Sequence, residues 1–294
     1  MIAVAACAVT VMAQCVYPTD NVTINFKRKI PGALMDGEFS VSATKKVYFS
    51  QGNLQYTIST DTWSFMTHQY DKVETSSQNV GSYYGSQNIV SLFGWGTAGN
   101  SEATGAYQPN ATTNSNAEYV KYLTTAGEWT ATKSDWGINI GSGWRVLTTD
   151  EWGFLLNISN SSDPAVGRQG SRYAKATVHS VPGVIILPDG WTQAGSAMSA
   201  TLAGINSSAA GFASISNDDW TKLESEGAVF LPAAGRRIGL VVYDVGADGR
   251  YWSSSALSAT SAELFRFYTS NVMTVGNDRY YGCSVRLVQN VPAE

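Results

Sequence analysis

This sequence predicts an α+β domain of short strands, two main helices and long ordered loops, and three observations carry that prediction. Two apolar runs of strand length, Gly183-Val184-Ile185-Ile186-Leu187-Pro188 and Ala228-Val229-Phe230-Leu231-Pro232, each stop at a proline, which cannot donate to a ladder. Two segments carry helix caps with an apolar stripe behind them. Residues 76–130 are rich in Gly, Ser, Asn and Tyr around one dense apolar knot, Phe93-Gly94-Trp95-Gly96, so they read as ordered loop whose aromatics need burial.

In chain order, residues 37–56 read as a hairpin: Glu38-Phe39-Ser40-Val41-Ser42 alternates, and Lys46-Val47-Tyr48-Phe49-Ser50 follows a short polar link. Asn53-Leu54-Gln55-Tyr56 and Trp63-Ser64-Phe65 continue the alternation. The clearest helix begins at Thr148. There Thr148-Thr149-Asp150-Glu151 is a capping box, in which the threonine hydroxyl accepts from the Glu151 amide while the Glu151 carboxylate reaches back to the threonine amide. Trp152, Leu155 and Leu156 give its apolar face. A second helix is expected over 216–226, capped by Ser216, with Trp220 and Leu223 as buried stripe and Gly227 as stop. No internal repeat is evident.

The 294 residues suffice for one large core or two small ones. Charged residues make up 14%, against roughly 25% in an average soluble domain, so Ser, Thr, Asn and Gly must form much of the surface, as in secreted proteins. A net charge of −4 gives no basic footprint and excludes nucleic acid as an expected partner; Lys27-Arg28-Lys29 reads as a solvated linker segment. Residues 2–13 are an apolar run too short to span a bilayer, and Val11-Met12-Ala13 is a small-residue cleavage site. Residues 1–13 therefore read as a signal peptide lacking its basic n-region, with a linker over 14–31, and the mature chain is expected to have no transmembrane span. Lipidation at Val4-Ala5-Ala6-Cys7 is the alternative processing.

Cleavage leaves Cys15 and Cys283, which either pair or leave Cys283 a free thiol. Two His and three Cys, none clustered, argue against a zinc or iron site built from them, and no cofactor is expected. The Asn-x-Ser/Thr matches at Asn21, Asn110, Asn157, Asn160 and Asn206 mark polar loops.

Residues 249–288 set a regular frame around an irregular filling. Tyr251-Trp252-Ser253-Ser254-Ser255 opens the frame, Phe265 and Phe267 alternate across its middle, and Gly282 to Val288 closes it. Residues 256–261 and 273–281 between them show neither helical nor strand period. A fixed frame with chemically free filling suits recognition better than catalysis.

Together these segments resemble a known family. Gly143-Trp144-Arg145-Val146-Leu147-Thr148-Thr149-Asp150-Glu151-Trp152 is similar to a segment of formylglycine-generating-enzyme-like proteins. Val184 to Asp189, Phe230-Leu231-Pro232-Ala233-Ala234-Gly235, Tyr251-Trp252-Ser253-Ser254 and Ser284-Val285-Arg286-Leu287-Val288 resemble the bacterial secreted branch called the major paralogous (FISUMP) domain. The resemblance implies a C-type-lectin-like fold over residues 32–290. It does not carry over the enzymes' chemistry: Cys283 has no partner cysteine nearby in sequence, and His68 and His179 cannot form a three-histidine iron site. Gln108-Pro109-Asn110 matches a calcium-lectin motif only superficially, and Trp-Asn-Asp does not occur, so no metal is expected.

The carboxy-terminal frame also resembles the variable proteins of diversity-generating retroelements, in which adenine-directed mutagenesis randomises chiefly asparagine codons on the ligand side of this fold. A fully mutable AAC codon cannot become Lys, Gln, Glu, Met or Trp. Residues 236–286 contain no Lys and no Gln and keep only Asn271 and Asn277; Trp252 belongs to the frame, and Glu263 and Met273 are exceptions. The alternative is an unvaried family member.

The resemblance implies that Trp252, Phe265, Phe267, Val285 and Leu287 are core and that Arg286 meets a buried carboxylate or carbonyls. The ligand-binding surface is expected within residues 236–285. Its candidates are Arg236, Ile238, Leu240, Val242 and Asp244 on one loop, then Asp248 and Arg250, then Leu257, Ser258 and Thr260. Glu263, Arg266 and Tyr268 are expected to share the face opposite the core phenylalanines, and Asn277, Asp278, Tyr280, Tyr281 and Cys283 complete the set. A surface of Tyr, Arg and scattered aliphatics has hot-spot composition.

These readings make the chain a secreted or cell-surface protein, lipidated or phage-associated in alternative forms. Its expected role is adhesion or receptor binding to a protein or glycan on another cell or surface, without catalysis. A structural or tip component of a surface appendage and a degenerate formylglycine-generating-type enzyme are the competing readings.

Overall fold

The computed structural model describes residues 35–72, 89–98, 112–113, 135–141, 143–156, 162–163, 168–169, 173–191, 211–239 and 241–292. The expected signal peptide and linker, Cys7, Cys15, Lys27-Arg28-Lys29, Gln108-Pro109-Asn110, the asparagines of the five glycosylation motifs and Leu240 lie outside them.

The strands are β1 (Phe39–Ser40), β2 (Lys46–Phe49), β3 (Leu54–Thr57), β4 (Thr62–Phe65), β5 (Ile89–Val90), β6 (Trp144–Val146), β7 (Ser162–Asp163), β8 (Arg168–Gln169) and β9 (Tyr173–Val178). They continue with β10 (Val181–Ile186), β11 (Ala213–Ser214), β12 (Val229–Pro232), β13 (Arg236–Ile238), β14 (Val241–Tyr243), β15 (Asp248–Ala256), β16 (Ser261–Tyr268), β17 (Asn271–Asp278) and β18 (Leu287–Asn290). Two α-helices, α1 (Thr149–Leu156) and α2 (Asn217–Ser225), complete the described elements with two short 3-10 turns, an α+β arrangement dominated by strands.

Both helices start where their caps place them. The Glu151 amide donates to Thr148 Oγ1 at 3.2 Å and the Thr148 amide to Glu151 Oε2 at 3.0 Å, while Ser216 Oγ accepts from the Asp219 amide. Glu151 also anchors the helix to its neighbour, because Arg145 Nη1 and Nη2 donate to its two oxygens at 2.6 and 2.9 Å and tie the cap to β6. The apolar runs ending in proline are the buried strands β10 and β12, antiparallel neighbours in the sheet β11-β9-β10-β12.

A second sheet has the order β1-β2-β18-β6, so the last strand lies between one of the first and one from mid-chain. A third sheet is the meander β15-β16-β17. Its two faces feed different cores. Tyr251, Phe265, Phe267 and Val272 pack with Phe49, Trp152 and Val184, whereas Trp252, Ala262 and Leu264 pack with Phe93, Trp95, Cys283 and Val285. Residues 282–284 cover the free edge of β15: the Trp252 amide donates to the Ser284 carbonyl and the Ser284 amide to the Arg250 carbonyl, both at 3.0 Å. Residues 273–278, expected to be irregular, instead form most of β17 in unbroken register with β16. Their mixed chemistry hides the strand because its two faces meet different cores, through Val272 and Val275, while the other residues stay partly exposed. Among the described residues no helix is long and apolar enough to cross a membrane.

Candidate functional site

The site begins at the β13–β14 hairpin, whose register pairs Arg236 with Tyr243, Arg237 with Val242 and Ile238 with Val241. Only Gly239 and Leu240 separate the strands. Paired residues share a face, so odd and even positions exchange roles across this turn. Arg236 and Ile238 face outward with Val241 and Tyr243, the last 42% exposed, while Val242 turns inward against Leu92 and Ala234. Val242 is therefore not a surface residue; the expected alternation runs correctly to Ile238 and then out of phase.

Next to the hairpin, Asp248, Arg250 and Trp252 on β15 pair with Tyr268, Arg266 and Leu264 on β16, so all six share one face of the meander. Asp248 is only 3% exposed. A carboxylate so buried must be paired, and guanidiniums converge on it: Arg250 Nε and Nη2 reach Oδ2 at 3.1 and 2.9 Å, and Arg266 Nη2 reaches it at 2.8 Å. Arg266 Nε lies 3.1 Å from both carboxylate oxygens, and Arg236 Nη1 is 3.9 Å from Oδ2. The Asp248 hydrogen bonds hold the Arg266 guanidinium above its ordinary pKa. Asp248 and Arg250 are thus a buried brace beneath the surface, which corrects their expected place on it.

Above that brace, Arg236 forms an ion pair with exposed Asp244 and sits 5.6 Å from the Tyr243 ring and 5.8 Å from the Tyr281 ring. Arg266 lies 4.8 Å from the Tyr268 ring. Each half-exposed arginine is held against aromatic surface, an arrangement worth about 0.5–1 kcal/mol per contact at exposed sites. Met273, opposite Arg266 in the β16–β17 register, belongs to this face too.

Leu257, Ser258 and Thr260 occupy the turn between β15 and β16, at the other end of the meander. Ser258 Oγ accepts from the amides of Thr260 and Ser261 at 3.2 and 3.0 Å. Arg279 donates to the Ser258 and Ser261 carbonyls while its guanidinium lies 4.5 Å from the Trp95 ring, fixing this turn to the end of β17. Asn277 and Asp278 are half-buried there, and Leu257 is 57% exposed. Tyr280 and Tyr281 meet edge to face at 4.8 Å, and Tyr281 carries the contact on to Arg236.

Two further expectations are corrected. Glu263 has the parity of Phe265 and Phe267, so it stands on their face of β16 and not with Arg266 and Tyr268. Cys283 is fully buried in the core that Trp252 and Leu264 face, and burial pushes its thiol up to about 12, so it is neither ligand surface nor thiolate near neutral pH. Tyr243 and Val241 were missed by sequence reasoning, because the pairing of Ile238 with Val241 inverts the parity of the outward positions from one strand to the next. Among the described residues no group of three or more His, Cys, Asp or Glu is placed to hold a metal ion. Comparison with protein-family models, with curated proteins and with solved structures gave no match.

Proposed function

We propose that this chain is an exported ligand-binding protein, an adhesin or receptor-binding protein of the FISUMP type, whose C-type-lectin-like scaffold presents a carboxy-terminal recognition surface. The observation that carries the reading is the patch of Arg236, Tyr243, Arg266, Tyr268 and Tyr281, with its guanidiniums held by Asp244 and Asp248 beside aromatic rings. Preorganised Tyr and Arg on a packed sheet give binding area at low entropy cost. Cys283, buried and protonated, supports binding over formylglycine-generating chemistry.

In its diversified form, the proposal makes residues 236–285 the target of a diversity-generating retroelement. The exposed positions from Arg236 to Tyr281 support it, since among the described ones only Glu263 and Met273 fall outside the set reachable from AAC. Glu263 stands on the face away from the patch; Met273 opposes Arg266 and is a fixed contact in this reading.

A protein and glycan array probed with the whole chain and with the Tyr243→Ala/Tyr281→Ala double variant tests the binding role. Capture of a ligand that the double variant loses is the expected result, and unchanged binding overturns the assigned surface. For the diversified form, the genome should hold a second, nearly identical copy of the coding region for residues 236–285 beside a reverse transcriptase gene. Without that copy, the unvaried form stands.

A further inference from the structure

The patch carries more positive charge than its own carboxylates neutralise. Three guanidiniums, of Arg236, Arg250 and Arg266, stand against the carboxylates of Asp244 and Asp248. Asp248 is crowded: both Arg250 and Arg266 direct Nε and Nη2 at it. Among the described residues the Nη1 of neither has a hydrogen-bond acceptor, since their bonds run through Nε and Nη2. Arg236 has 20% of its side chain exposed and Arg266 30%, so both reach solvent.

We infer that the surface takes an acidic segment of a partner protein, one that alternates carboxylates with apolar side chains; this rests on the ligand-binding reading above. A carboxylate completes Arg266 and Arg236 by charge-assisted hydrogen bonds, and the rings of Tyr268, Tyr243 and Tyr281 already hold those guanidiniums in place. The protein as a whole carries −4, so this local excess of positive charge is where an acidic partner is attracted instead of repelled. Ile238 and Val241, paired on the outward face of the same hairpin, offer apolar contact beside the arginines. A neutral sugar would want free carboxylates and amides for its hydroxyls, and the one exposed carboxylate on the patch, Asp244, is already held by Arg236.

Fluorescence anisotropy with the whole chain tests this, using a labelled peptide of alternating glutamate and leucine, its glutamine counterpart and a heparin oligosaccharide. The glutamate peptide should bind at least about tenfold tighter than the glutamine peptide, and Arg266→Gln and Arg236→Gln should each weaken it about tenfold. Arg266→Lys should recover only part of the loss, because lysine restores charge without the fork. Melting curves check the fold: Arg266→Gln leaves Asp248 paired with Arg250, and Arg236→Gln leaves Asp248 paired with both Arg250 and Arg266. Equal binding of the two peptides, no binding of either, or binding indifferent to both substitutions overturns the inference. Tighter binding of the heparin oligosaccharide assigns the charge to a glycan and overturns it as well. An array ligand that needs Tyr243 and Tyr281 but not the arginines leaves the ligand-binding reading standing and removes only the acidic partner.

Discussion

Arg286 Nη2 donates to the side-chain oxygen of Gln69 at 2.9 Å, joining the closing segment of the frame to a residue 217 positions away. Gln69 in turn accepts from the Phe230 amide at 2.7 Å and donates to the Ala228 carbonyl at 3.1 Å and Glu224 Oε1 at 3.0 Å. One buried glutamine therefore links the chain ahead of β18 to β12 and α2. Gln69→Leu should lower unfolding free energy by about 3 kcal/mol, since several buried groups lose their partner at once. Urea denaturation checks this, with Gln55→Leu on half-buried β3 as a control expected to change far less.

The same buried position makes Arg286 a costly charge: desolvation pulls its pKa down from 12.5 to about 10. Cys283 shifts the other way, from 9.0 to about 12. Between those two values the unfolded thiol has released a proton that the folded thiol keeps, so its contribution to stability is full below pH 9 and falls as pH rises toward 12. Alkaline urea titrations of wild type and Cys283→Ala should show the wild-type advantage shrinking by roughly 4 kcal/mol over that window. A constant difference would mean that the thiol is accessible in the native protein.

Glu151 both closes the α1 capping box and receives the Arg145 fork. Thr148→Ala removes only the hydroxyl half of the cap and should cost about 1 kcal/mol. Glu151→Ala also strands the half-buried Arg145 and should cost about 3 kcal/mol. A double-mutant cycle with Arg145→Met should return much of that difference as coupling between the two residues.

The elements visible in the sequence were those with a local cause. Thr148 and Ser216 mark helix starts because a cap is a contact between residues three apart, and β10 and β12 show as apolar runs because both their faces are covered. Asp248 and Arg250 look like surface residues because nothing local reveals that Arg266, on the next strand, and Arg236, from another hairpin, will enclose the carboxylate. Strand β17 was hidden for a related reason: its register with β16 places Val272 and Val275 against two different cores. The candidate patch was legible as a set of residue types, and its geometry was not, because that depends on which residues face each other across turns.

The β13–β14 hairpin separates stability from binding most cleanly. Val242 is buried against Leu92 and Ala234, whereas Tyr243 stands next to it on the outward face beside Arg236. Val242→Ala should lower stability by about 1–2 kcal/mol and leave ligand affinity unchanged once folded protein is counted. Tyr243→Ala should leave the melting temperature nearly unchanged and cost about 2 kcal/mol in binding, as loss of a tyrosine at a hot spot does. Gly235, just before the hairpin, gives a third outcome. Its φ is +73°, and an added Cβ would lie 2.1 Å from the Tyr243 carbonyl oxygen, which is backbone and cannot swing aside. Gly235→Ala must displace β14 and should lower both stability and affinity, measured as a melting curve and a binding isotherm on the same preparation. If Gly235→Ala bound with wild-type affinity, Tyr243 would not be part of the surface.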